Sequence, residues 1–415
     1  MNVFDTLVER GFIATNPDGS PKQVTDLALK EILGKEQVSA YIGFDPTAPS
    51  LHIGNLLAIM SLAHLQKAGH RPIVIMGGGT GMIGDPSGKI ELRKMLVSDQ
   101  IQQNLAGQRK LFEKYLDFSA GKAIILNNAE WLLPLNYIEF LRDIGKHFSV
   151  NRMLTADCFK TRMEKGLSFL EFNYMVLQAY DFLHLFRNHG CRLQMGGDDQ
   201  WGNICAGIEL IRRVEGKEAY GMTYPLLTNA SGAKMGKTVQ GAVWLSAELF
   251  SPYEYYQFWR NVDDRDVVKL LGLFTFLPMD EVRRLGNLPG EQINEAKDVL
   301  AFEATKINHG EQAARDAQQD ARKAFREGKG GESVPTYEIA KSKLSQGIAI
   351  TDLLQEAGVT PSKSEARRLI QKGGAYLNGD RINSIDIVVN LTSLVNDEIM
   401  LRSGKKSYFR VIPKG

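Results

Sequence analysis

Residues 41–55, YIGFDPTAPSLHIGN, carry residue types that could bind an anion. Alternating apolar residues at its start predict a strand, which should end at Asp45 because a proline follows. A helix is then predicted to begin near His52, where unpaired N–H groups and Gly54 would let a phosphate come close. Thr47 and His52 add side-chain donors at the same point. The segment therefore indicates a phosphate site, or else an ordinary strand–helix turn with a surface histidine.

Residues 77–89 form a second candidate site, rich in glycine, after a predicted strand at 72–76. They fail the phosphate-loop pattern because Ile90 stands where serine or threonine is required. The dinucleotide pattern GxGxxG matches at 79–84, but Asp85 and a proline follow where a helix should already be under way. A dehydrogenase remains an alternative. A glycine-rich wall beside a small ligand, with Asp85 directed at a cation, explains the segment better.

Three polar residues are spaced to share one helix face. Tyr174, Gln178 and Asp181 stand at i, i+4 and i+7 in a stretch that is otherwise mostly apolar. Such a helix should be buried on more than one side, and buried polar groups require partners. The spacing indicates a polar binding face, and the alternative is a solvent-facing amphipathic stripe.

A cationic loop follows a predicted strand at 224–228. Lys234 and Lys237 stand three residues apart, with glycines nearby. A flexible loop of this kind could close over a polyphosphate, where lysine acts as a mobile point charge. A solvated surface loop explains the same residues.

Strands that alternate with helices predict an α/β fold with a Rossmann-like parallel sheet, whose strand carboxyl ends form the ligand crevice. The chain has 415 residues, which is too long for one ordinary core, and its net charge of +2 restricts any nucleic-acid surface to a local patch. Cys158, Cys191 and Cys205 are widely spaced, which argues against a disulfide framework and against a structural metal site. No apolar run reaches membrane-spanning length, and the cytoplasm is the simplest location.

The order of predicted elements indicates a Rossmann-like domain at 1–245, which the resemblance described below implies to be catalytic. It contains a helical region at about 134–188 and a flexible lysine loop at 231–238. An α-helical domain at 246–330 follows, then a linker at 331–337 and a small α+β module at 338–415. The last module carries a basic helix and turn that indicate RNA binding, or only a solvated surface. Its basic residues are Lys363, Arg367, Arg368, Lys372 and Arg381.

Taken together, these motifs resemble the bacterial tyrosyl-tRNA synthetases, a class I family, over essentially the whole chain. PTAPSLHIGN at 46–55 is similar to the family's HIGH signature, and KMGKT at 234–238 to its KMSKS loop. The SxSEARRLIxxGGxxxNG pattern at 362–379 is similar to a small RNA-binding fold first known from a ribosomal protein. One departure is Asn55, where the family usually has a second histidine. Asparagine can still donate a hydrogen bond to a ribose or phosphate oxygen.

The resemblance implies adenylation of tyrosine by ATP and transfer of the tyrosyl group to tRNA. The residues implied to meet the polyphosphate are Thr47, His52, Lys89, Arg93, Lys234, Lys237 and Thr238. Those implied to line the nucleotide are Gly43, Asp45, His52, Gly54, Asn55, Gly197, Asp199, Leu227 and Lys237. Those implied to bind tyrosine are Tyr41 and Asp181 at the phenol, Asp85, Tyr174 and Gln178 at the ammonium, and Gln200 near the carboxyl end.

The resemblance also implies ATP with Mg²⁺, tRNA(Tyr) as partner, an anticodon-arm role for 246–330, and a homodimer formed through 134–188. Arg152, Arg212 and Arg213 are candidates for contact with the tRNA acceptor stem. Tryptophanyl-tRNA synthetase is an alternative, because its first signature often ends in asparagine, but Tyr41 with Asp181 and the RNA-binding tail argue against it. A non-catalytic RNA-binding relative and a small-molecule nucleotidyltransferase are further alternatives.

Overall fold

A five-stranded parallel sheet forms the centre of the first of two contact units, which comprises residues 1–235 and 272–279. The structure is a computed structural model that describes residues 2–87, 98–156, 159, 163–164, 166–238, 241–327, 334–404 and 407–414. The strands are β1 (Ser39–Phe44), β2 (Arg71–Met76), β3 (Ile124–Asn127), β4 (Cys191–Gly197) and β5 (Tyr220–Tyr224). Their order in the sheet is β3–β2–β1–β4–β5, and every neighbouring pair is parallel. The predicted Rossmann-like α/β class is confirmed.

The strands are apolar along most of their length. β5 is buried at every residue and β2 at all but its first, as strands covered on both faces must be. The helices of this unit are α1 (Val3–Arg10), α2 (Ala28–Lys35), α3 (Ile53–Lys67), α4 (Ser98–Phe112), α5 (Ala129–Leu132), α6 (Tyr137–Asp143), α7 (Val150–Leu154), α8 (Phe169–His189) and α9 (Trp201–Glu215).

Helix α8 has clear stop and start signals in the sequence. Ser168 accepts a hydrogen bond from the backbone of Glu171, and the Glu171 carboxylate accepts one from the Ser168 backbone in return. The helix ends at Gly190, whose φ of 60° is in the left-handed region that favours glycine. Tyr174 and Asp181 are buried in this helix, so the expected binding face is not a solvent-facing stripe.

Two predicted elements differ from the structure. The strand predicted at 224–228 is wrong, because β5 ends at Tyr224, just before a proline that has no N–H to donate. The region predicted as helical at about 134–188 is broken. Among its described residues, α6 and α7 are short and separated from the long α8.

The second unit, residues 236–271 and 280–415, begins with a two-stranded hairpin, β6 (Lys237–Thr238) and β7 (Gly241–Ala242). A helical region follows, and its helices α11 and α12 include residues of the first unit. Its helices are α10 (Pro252–Arg260), α11 (Val267–Phe274), α12 (Met279–Gly286), α13 (Ile293–His309) and α14 (Glu311–Glu327).

The C-terminal module is a mixed α+β fold with its own apolar core. Its strands are β8 (Thr336–Ala340), β9 (Ile348–Ala349), β10 (Ala375–Leu377), β11 (Asp380–Arg381), β12 (Val388–Val389), β13 (Ile399–Ser403) and β14 (Ser407–Lys414). Its helices are α15 (Lys341–Gln346), α16 (Ile350–Glu356) and α17 (Lys363–Gln371). β8 begins inside the segment predicted as a linker, whose residues 331–333 lie outside the described residues.

Candidate active site

A cavity of about 290 Å³ opens where the strands of the parallel sheet end. β1 and β4 are neighbours in the sheet although β2 and β3 separate them in sequence, so the cavity lies where the strand order reverses. Many of the predicted site residues line it: Tyr41, Gly43, Asp45, Thr47, His52, Asn55, Asp85, Tyr174, Gln178, Asp181, Gly197 and Gln200.

The predicted lysine loop begins beside this cavity. Lys234 pairs with Thr228 in an isolated antiparallel bridge, and the Met235 N–H donates to the Leu227 carbonyl at 2.9 Å. Burial raises the pKa of Asp199, which the charge of Lys234 opposes. Lys234 is therefore within electrostatic reach of Asp199.

The remaining predicted residues fall into three groups. Gly54, Asp199 and Leu227 belong to the same unit but not to the cavity lining. Lys237 and Thr238 form β6 in the second unit, and only their backbone is described. Lys89 and Arg93 lie outside the described residues.

The imidazole of His52 caps helix α3. Its Nδ1 accepts from the Gly54 N–H at 3.0 Å, and Asn55 Oδ1 accepts from the His52 N–H at 3.1 Å. A ring nitrogen that accepts a hydrogen bond carries no proton, so the neutral ring has its proton on Nε2. A Cβ on Gly54 would lie 2.7 Å from the His52 ring, which explains the glycine. His52 and Asn55 thus bring an Nε2–H and an amide group to the helix N-terminus at the cavity.

Asp181 is buried at the inner end of the cavity and receives two side-chain hydrogen bonds. Trp131 Nε1 donates to its Oδ1 at 2.7 Å, and Asn128 Nδ2 donates to its Oδ2 at 3.0 Å. Burial raises the pKa of Asp181 to about 7, although both donors favour the ionised form and oppose that rise. The carboxylate is an acceptor held in one orientation.

Tyr41 lies near Asp181 and is 2 % exposed. Its hydroxyl has no hydrogen-bond partner among the described residues. Burial raises the pKa of Tyr41 well above its ordinary value, and the charge of Asp181 raises it further, so the phenol stays protonated. The neighbouring Gln194 of β4 also has a buried Oε1 without a partner in the described chain. An unsatisfied buried polar atom costs about 1–3 kcal/mol, which a polar ligand can relieve.

Asp85 and the amides of α8 and α9 form a connected polar network. Gln200 Nε2 donates to Asp85 Oδ2 at 2.7 Å, and Gln178 Nε2 donates to Gln200 Oε1 at 3.2 Å. Asn203 Nδ2 lies 3.1 Å from Gln178 Oε1 and from Gln200 Oε1. The Ser87 N–H donates to the other Asp85 oxygen at 2.8 Å. The network presents one carboxylate and several amide groups to a cationic or polar ligand group.

Glycine is required at different positions around the cavity for different physical reasons. A Cβ on Gly43 would meet nothing within 4 Å, so this position opens directly into the cavity. A Cβ on Gly77 would lie 2.5 Å from Asp45 Oδ1, and one on Gly78 would lie 2.1 Å from Asn127 Oδ1. Those two glycines make room for protein side chains. Residues 83–87 contain no helix, so the dinucleotide pattern of a dehydrogenase lacks the element that it needs.

Sequence reasoning missed Asn128 and Trp131. Asn128 Nδ2 also lies 2.9 Å from Thr80 Oγ1, and Asn128 Oδ1 accepts from the Gly79 N–H at 2.8 Å. Asn128 therefore connects the glycine-rich segment to Asp181. The available signal was their position directly after a predicted strand, where a parallel sheet places its ligand groups. Thr80, Gln194 and Tyr224 also line the cavity without having been predicted.

The predicted basic residues of the C-terminal module lie on and after α17. Lys363 pairs with Asp352 at 3.0 Å and Arg368 with Glu365 at 2.6 Å, so two of the five charges are partly neutralised. Arg381 lies over Gly373, where a Cβ would be 1.4 Å from its guanidinium. Arg367 and Lys372 are exposed and form no ion pair with other described residues. They are the most available cations of this face.

The described residues contain no group of three His, Cys, Asp or Glu side chains that could hold a metal ion. None of the described helices has the length and apolar content needed to span a membrane.

The parallel sheet, its helix-capping histidine and its lysine loop are the features of a class I aminoacyl-tRNA synthetase. Residues 34–326 match the model of class I tRNA synthetases (W and Y), and residues 324–411 match that of the tyrosine–tRNA ligase SYY-like C-terminal domain. The chain is similar to the tyrosine–tRNA ligase of Caldanaerobacter subterraneus, with 56% identity over 100% of both chains. It is 57% identical to that of Clostridium botulinum over 99% of both. A C-terminally truncated mitochondrial tyrosyl-tRNA synthetase from Aspergillus nidulans superposes with a TM-score of 0.69 at 30% identity, covering 78% of this chain and 94% of that one.

The chain belongs to the family of tyrosine–tRNA ligases. The family and enzyme class predicted from the signatures and the tail are confirmed. The first model covers both the tryptophan and the tyrosine enzymes, whereas the description of the second model names tyrosine–tRNA ligase alone.

Proposed function

We propose that the cavity carries out tyrosine activation and that the tRNA 3′ end is charged at the same place. In the first step the tyrosine carboxylate attacks the α-phosphorus of ATP, and pyrophosphate leaves. In the second a ribose hydroxyl of tRNA attacks the carbonyl carbon of tyrosyl-adenylate, and AMP leaves. The substrates supply both nucleophiles, so the protein contributes positioning and charge stabilisation.

The observation that carries this proposal is that Asp181 and the Tyr41 hydroxyl lie close together at the buried cavity wall without a hydrogen bond between them. Asp181 is an acceptor held by two donors, and Tyr41 has a buried hydroxyl without a partner in the described chain. A substrate phenol can donate to Asp181 and accept from Tyr41. Phenylalanine would leave the buried Tyr41 hydroxyl without a partner and would give Asp181 no third donor beside Trp131 and Asn128. An unpaired buried polar group is the strongest basis for rejecting a substrate that lacks one hydroxyl.

The network around Asp85 is suited to the other end of tyrosine. Its carboxylate is oriented by Gln200 and by the Ser87 N–H, and Gln178 joins the same network. We assign Asp85, Tyr174 and Gln178 to the ammonium and Gln200 to the carboxyl end. Tyrosine would then lie along α8, with its phenol at Asp181.

The N-terminus of α3 and the turn before it are suited to ATP. His52 brings its Nε2–H, Asn55 its amide and Thr47 its hydroxyl to one side of the cavity, at the positive end of the helix dipole. The opening at Gly43 gives room for the nucleoside beside Asp45, Gly54, Gly197, Asp199 and Leu227. We assign Lys234, Lys237, Thr238, Lys89 and Arg93 to the polyphosphate.

ATP would enter as its Mg²⁺ complex. Mg²⁺ usually keeps several waters and is held largely by substrate phosphates, so it does not require a dedicated protein cage. The described residues offer no such cage, and Asp45 in the cavity lining fits a supporting role. The metal would neutralise phosphate charge.

We propose that tRNA(Tyr) contacts the basic face of the C-terminal module at Lys363, Arg367, Arg368, Lys372 and Arg381. The acceptor stem would approach Arg152, Arg212 and Arg213, which surround Glu209 within 3.5 Å and leave a net positive cluster. We place this reaction in the cytoplasm, where bacterial protein synthesis takes place.

We also propose a homodimer formed through the region at about 134–188. Among the described residues from 133 to 169, five large apolar side chains are more than half exposed, the largest fraction being 71% at Phe169. Exposed apolar residues at this density are typical of an interface. The others are Leu133, Tyr137, Ile138 and Val150. Ile138→Lys should shift the chain from dimer to monomer in sedimentation, and an unchanged mass would place the interface elsewhere.

ATP–pyrophosphate exchange tests the substrate assignment. Exchange should depend on tyrosine, with tryptophan inactive as a matched aromatic control. Exchange driven by tryptophan would show that the phenol site at Asp181 is assigned wrongly. Binding of tRNA without exchange by either amino acid would instead indicate a non-catalytic RNA-binding protein.

A further inference from the structure

The ring of His184 lies flat against the indole of Trp131. Their centroids are 4.3 Å apart and their planes differ by 11°, which is a stacked arrangement. The same indole donates from Nε1 to Asp181 at 2.7 Å. Asp181 and His184 stand three residues apart on α8, so both project from one side of that helix. Trp131 thus makes its polar contact and its stacking contact with the same helix.

The short helix α5, which carries Trp131, does little by itself to fix the orientation of the indole. Helix α5 is a single turn of four residues, and its N-cap residue Asn128 makes no side-chain capping bond. The Asn128 side chain is instead engaged with Asp181, Thr80 and Gly79. A helix of one turn is not stable by itself, so packing must determine the orientation of the indole.

The orientation of the indole matters because hydrogen bonds weaken steeply as their angle closes. His184 supplies a flat partner over the face of the ring and limits its rotation about the long side-chain axis. His184 does not line the cavity and has no described hydrogen bond to Asp181, and Trp131 is the side chain that contacts both residues.

We propose that His184 is a positioning residue for amino-acid recognition, which holds the Trp131 indole in the orientation that donates to Asp181. The inference rests on the proposed function, in which Asp181 accepts the substrate phenol. It extends the recognition site to a residue outside the cavity.

The state of the His184 ring agrees with a stacking role. Burial lowers the pKa of His184, and the nearby His189 and Arg187 lower it further. The imidazole is therefore neutral at pH 7 and stacks as an uncharged aromatic ring. His189 lies 6.4 Å from His184 at a 46° tilt and serves as a matched control on the same helix.

The test compares His184→Ala, His184→Phe and His189→Ala in pyrophosphate exchange with tyrosine and with phenylalanine. His184→Ala should raise the KM for tyrosine roughly 3- to 10-fold, the range expected from one aromatic pair, while kcat and the KM for ATP stay unchanged. His184→Phe keeps the stacked ring and should restore the KM for tyrosine. His189→Ala should behave like the unaltered chain.

A double-mutant cycle separates positioning from general packing. In a Trp131→Phe background, which lacks the indole N–H, His184→Ala should cause no further loss of tyrosine selectivity. Three results would each overturn the proposal: an unchanged KM for tyrosine in His184→Ala, an equal rise of that KM in His184→Phe, or a full additional loss of selectivity in the Trp131→Phe background.

Tyr41→Phe is measured in parallel as a test of the phenol site itself. If Tyr41→Phe leaves the selectivity for tyrosine over phenylalanine unchanged, the phenol site is misassigned and the role of His184 fails with it. If Tyr41→Phe loses selectivity and His184→Ala does not, only the role of His184 fails.

Discussion

Trp131 and Asp181 are joined by a hydrogen bond of 2.7 Å, although fifty residues separate them in the chain. The bond lies at the buried end of the cavity. It lowers the pKa of Asp181, whereas burial raises the pKa of the same carboxyl group. Burial favours the protonated acid, and the indole N–H favours the carboxylate. Tyrosine recognition should therefore depend on pH.

The KM for tyrosine should rise as pH falls below about 7, the pKa of Asp181 in the folded chain. Below that value the carboxyl group carries a proton and is a weaker acceptor for the substrate phenol. Trp131→Phe removes a donor that lowers this pKa, so the midpoint should move to higher pH. Exchange kinetics between pH 5.5 and 8.5 measure both midpoints, and the KM for ATP serves as the internal reference. A midpoint that moves to lower pH would contradict the assignment.

Tyr41→Phe should have opposite effects on selectivity and on stability. Discrimination against phenylalanine should fall by roughly 10-fold, because one neutral hydrogen bond to the phenol is lost. The free energy of unfolding should stay unchanged or rise, since the variant removes a buried hydroxyl without a partner in the described chain. Exchange kinetics and urea denaturation measure the two effects. Tyr180→Phe, on α8 outside the cavity lining, is the matched control and should leave selectivity unchanged.

Gly43→Ala tests whether the opening beside residue 43 holds the nucleoside of ATP. The new methyl group would meet no protein atom within 4 Å, so the chain should fold normally. It would occupy the opening assigned to the nucleoside, and the KM for ATP should rise roughly 10-fold, as overpacking by one methyl group commonly costs 1–3 kcal/mol. The KM for tyrosine should not change. Equal effects on both substrates would indicate that β1 has shifted.

Two substitutions separate the two roles of Asn55, helix capping and ATP binding. Asn55→Asp keeps the oxygen that accepts from the His52 N–H and favours the helix dipole, so thermal stability should be maintained. It replaces the amide donor with a negative charge, and the KM for ATP should rise at least 10-fold. Asn55→Ala should lose about 1 kcal/mol of stability as well, because the His52 N–H loses its acceptor in the capping box while the His52 ring still caps the helix. If Asn55→Asp binds ATP normally, the residue acts only as a cap.

Arg367→Glu tests the RNA-binding face. Charging of tRNA should weaken, and the salt dependence of tRNA binding should fall by about one unit of slope, as expected for one lost phosphate contact. Pyrophosphate exchange should be unchanged, which is the control within the same variant. This substitution is more specific than truncating the chain. Val334, Met400 and Tyr408 pack against Tyr253, so removing them would also disturb the helical region. A parallel loss of exchange would argue that the residue supports the fold.

Local patterns were sufficient to predict the strand, turn and helix that carry Tyr41 and His52. Each depends on neighbours in sequence: an alternating strand, a proline after Asp45 and a helix start. The three polar residues of α8 were found for the same reason, because helical spacing places them on one face.

The contacts that complete the site could not be predicted in this way. Asn128 and Trp131 reach Asp181 across 53 and 50 residues of sequence, and no local pattern encodes such a pairing. The end of β5 was misplaced because an apolar stretch after Tyr224 resembles a strand, whereas tertiary packing places the strand before the proline.

Asn128 has a practical consequence for anyone who wishes to make this enzyme accept a different amino acid. Its single amide group holds Asp181, Thr80 and the Gly79 backbone together. A library that randomises Asp181 alone would leave that amide facing a group it no longer fits, at a cost of about 1–3 kcal/mol for an unsatisfied buried donor. Randomising positions 128 and 181 jointly should therefore yield more folded variants with altered substrate choice than either position varied separately.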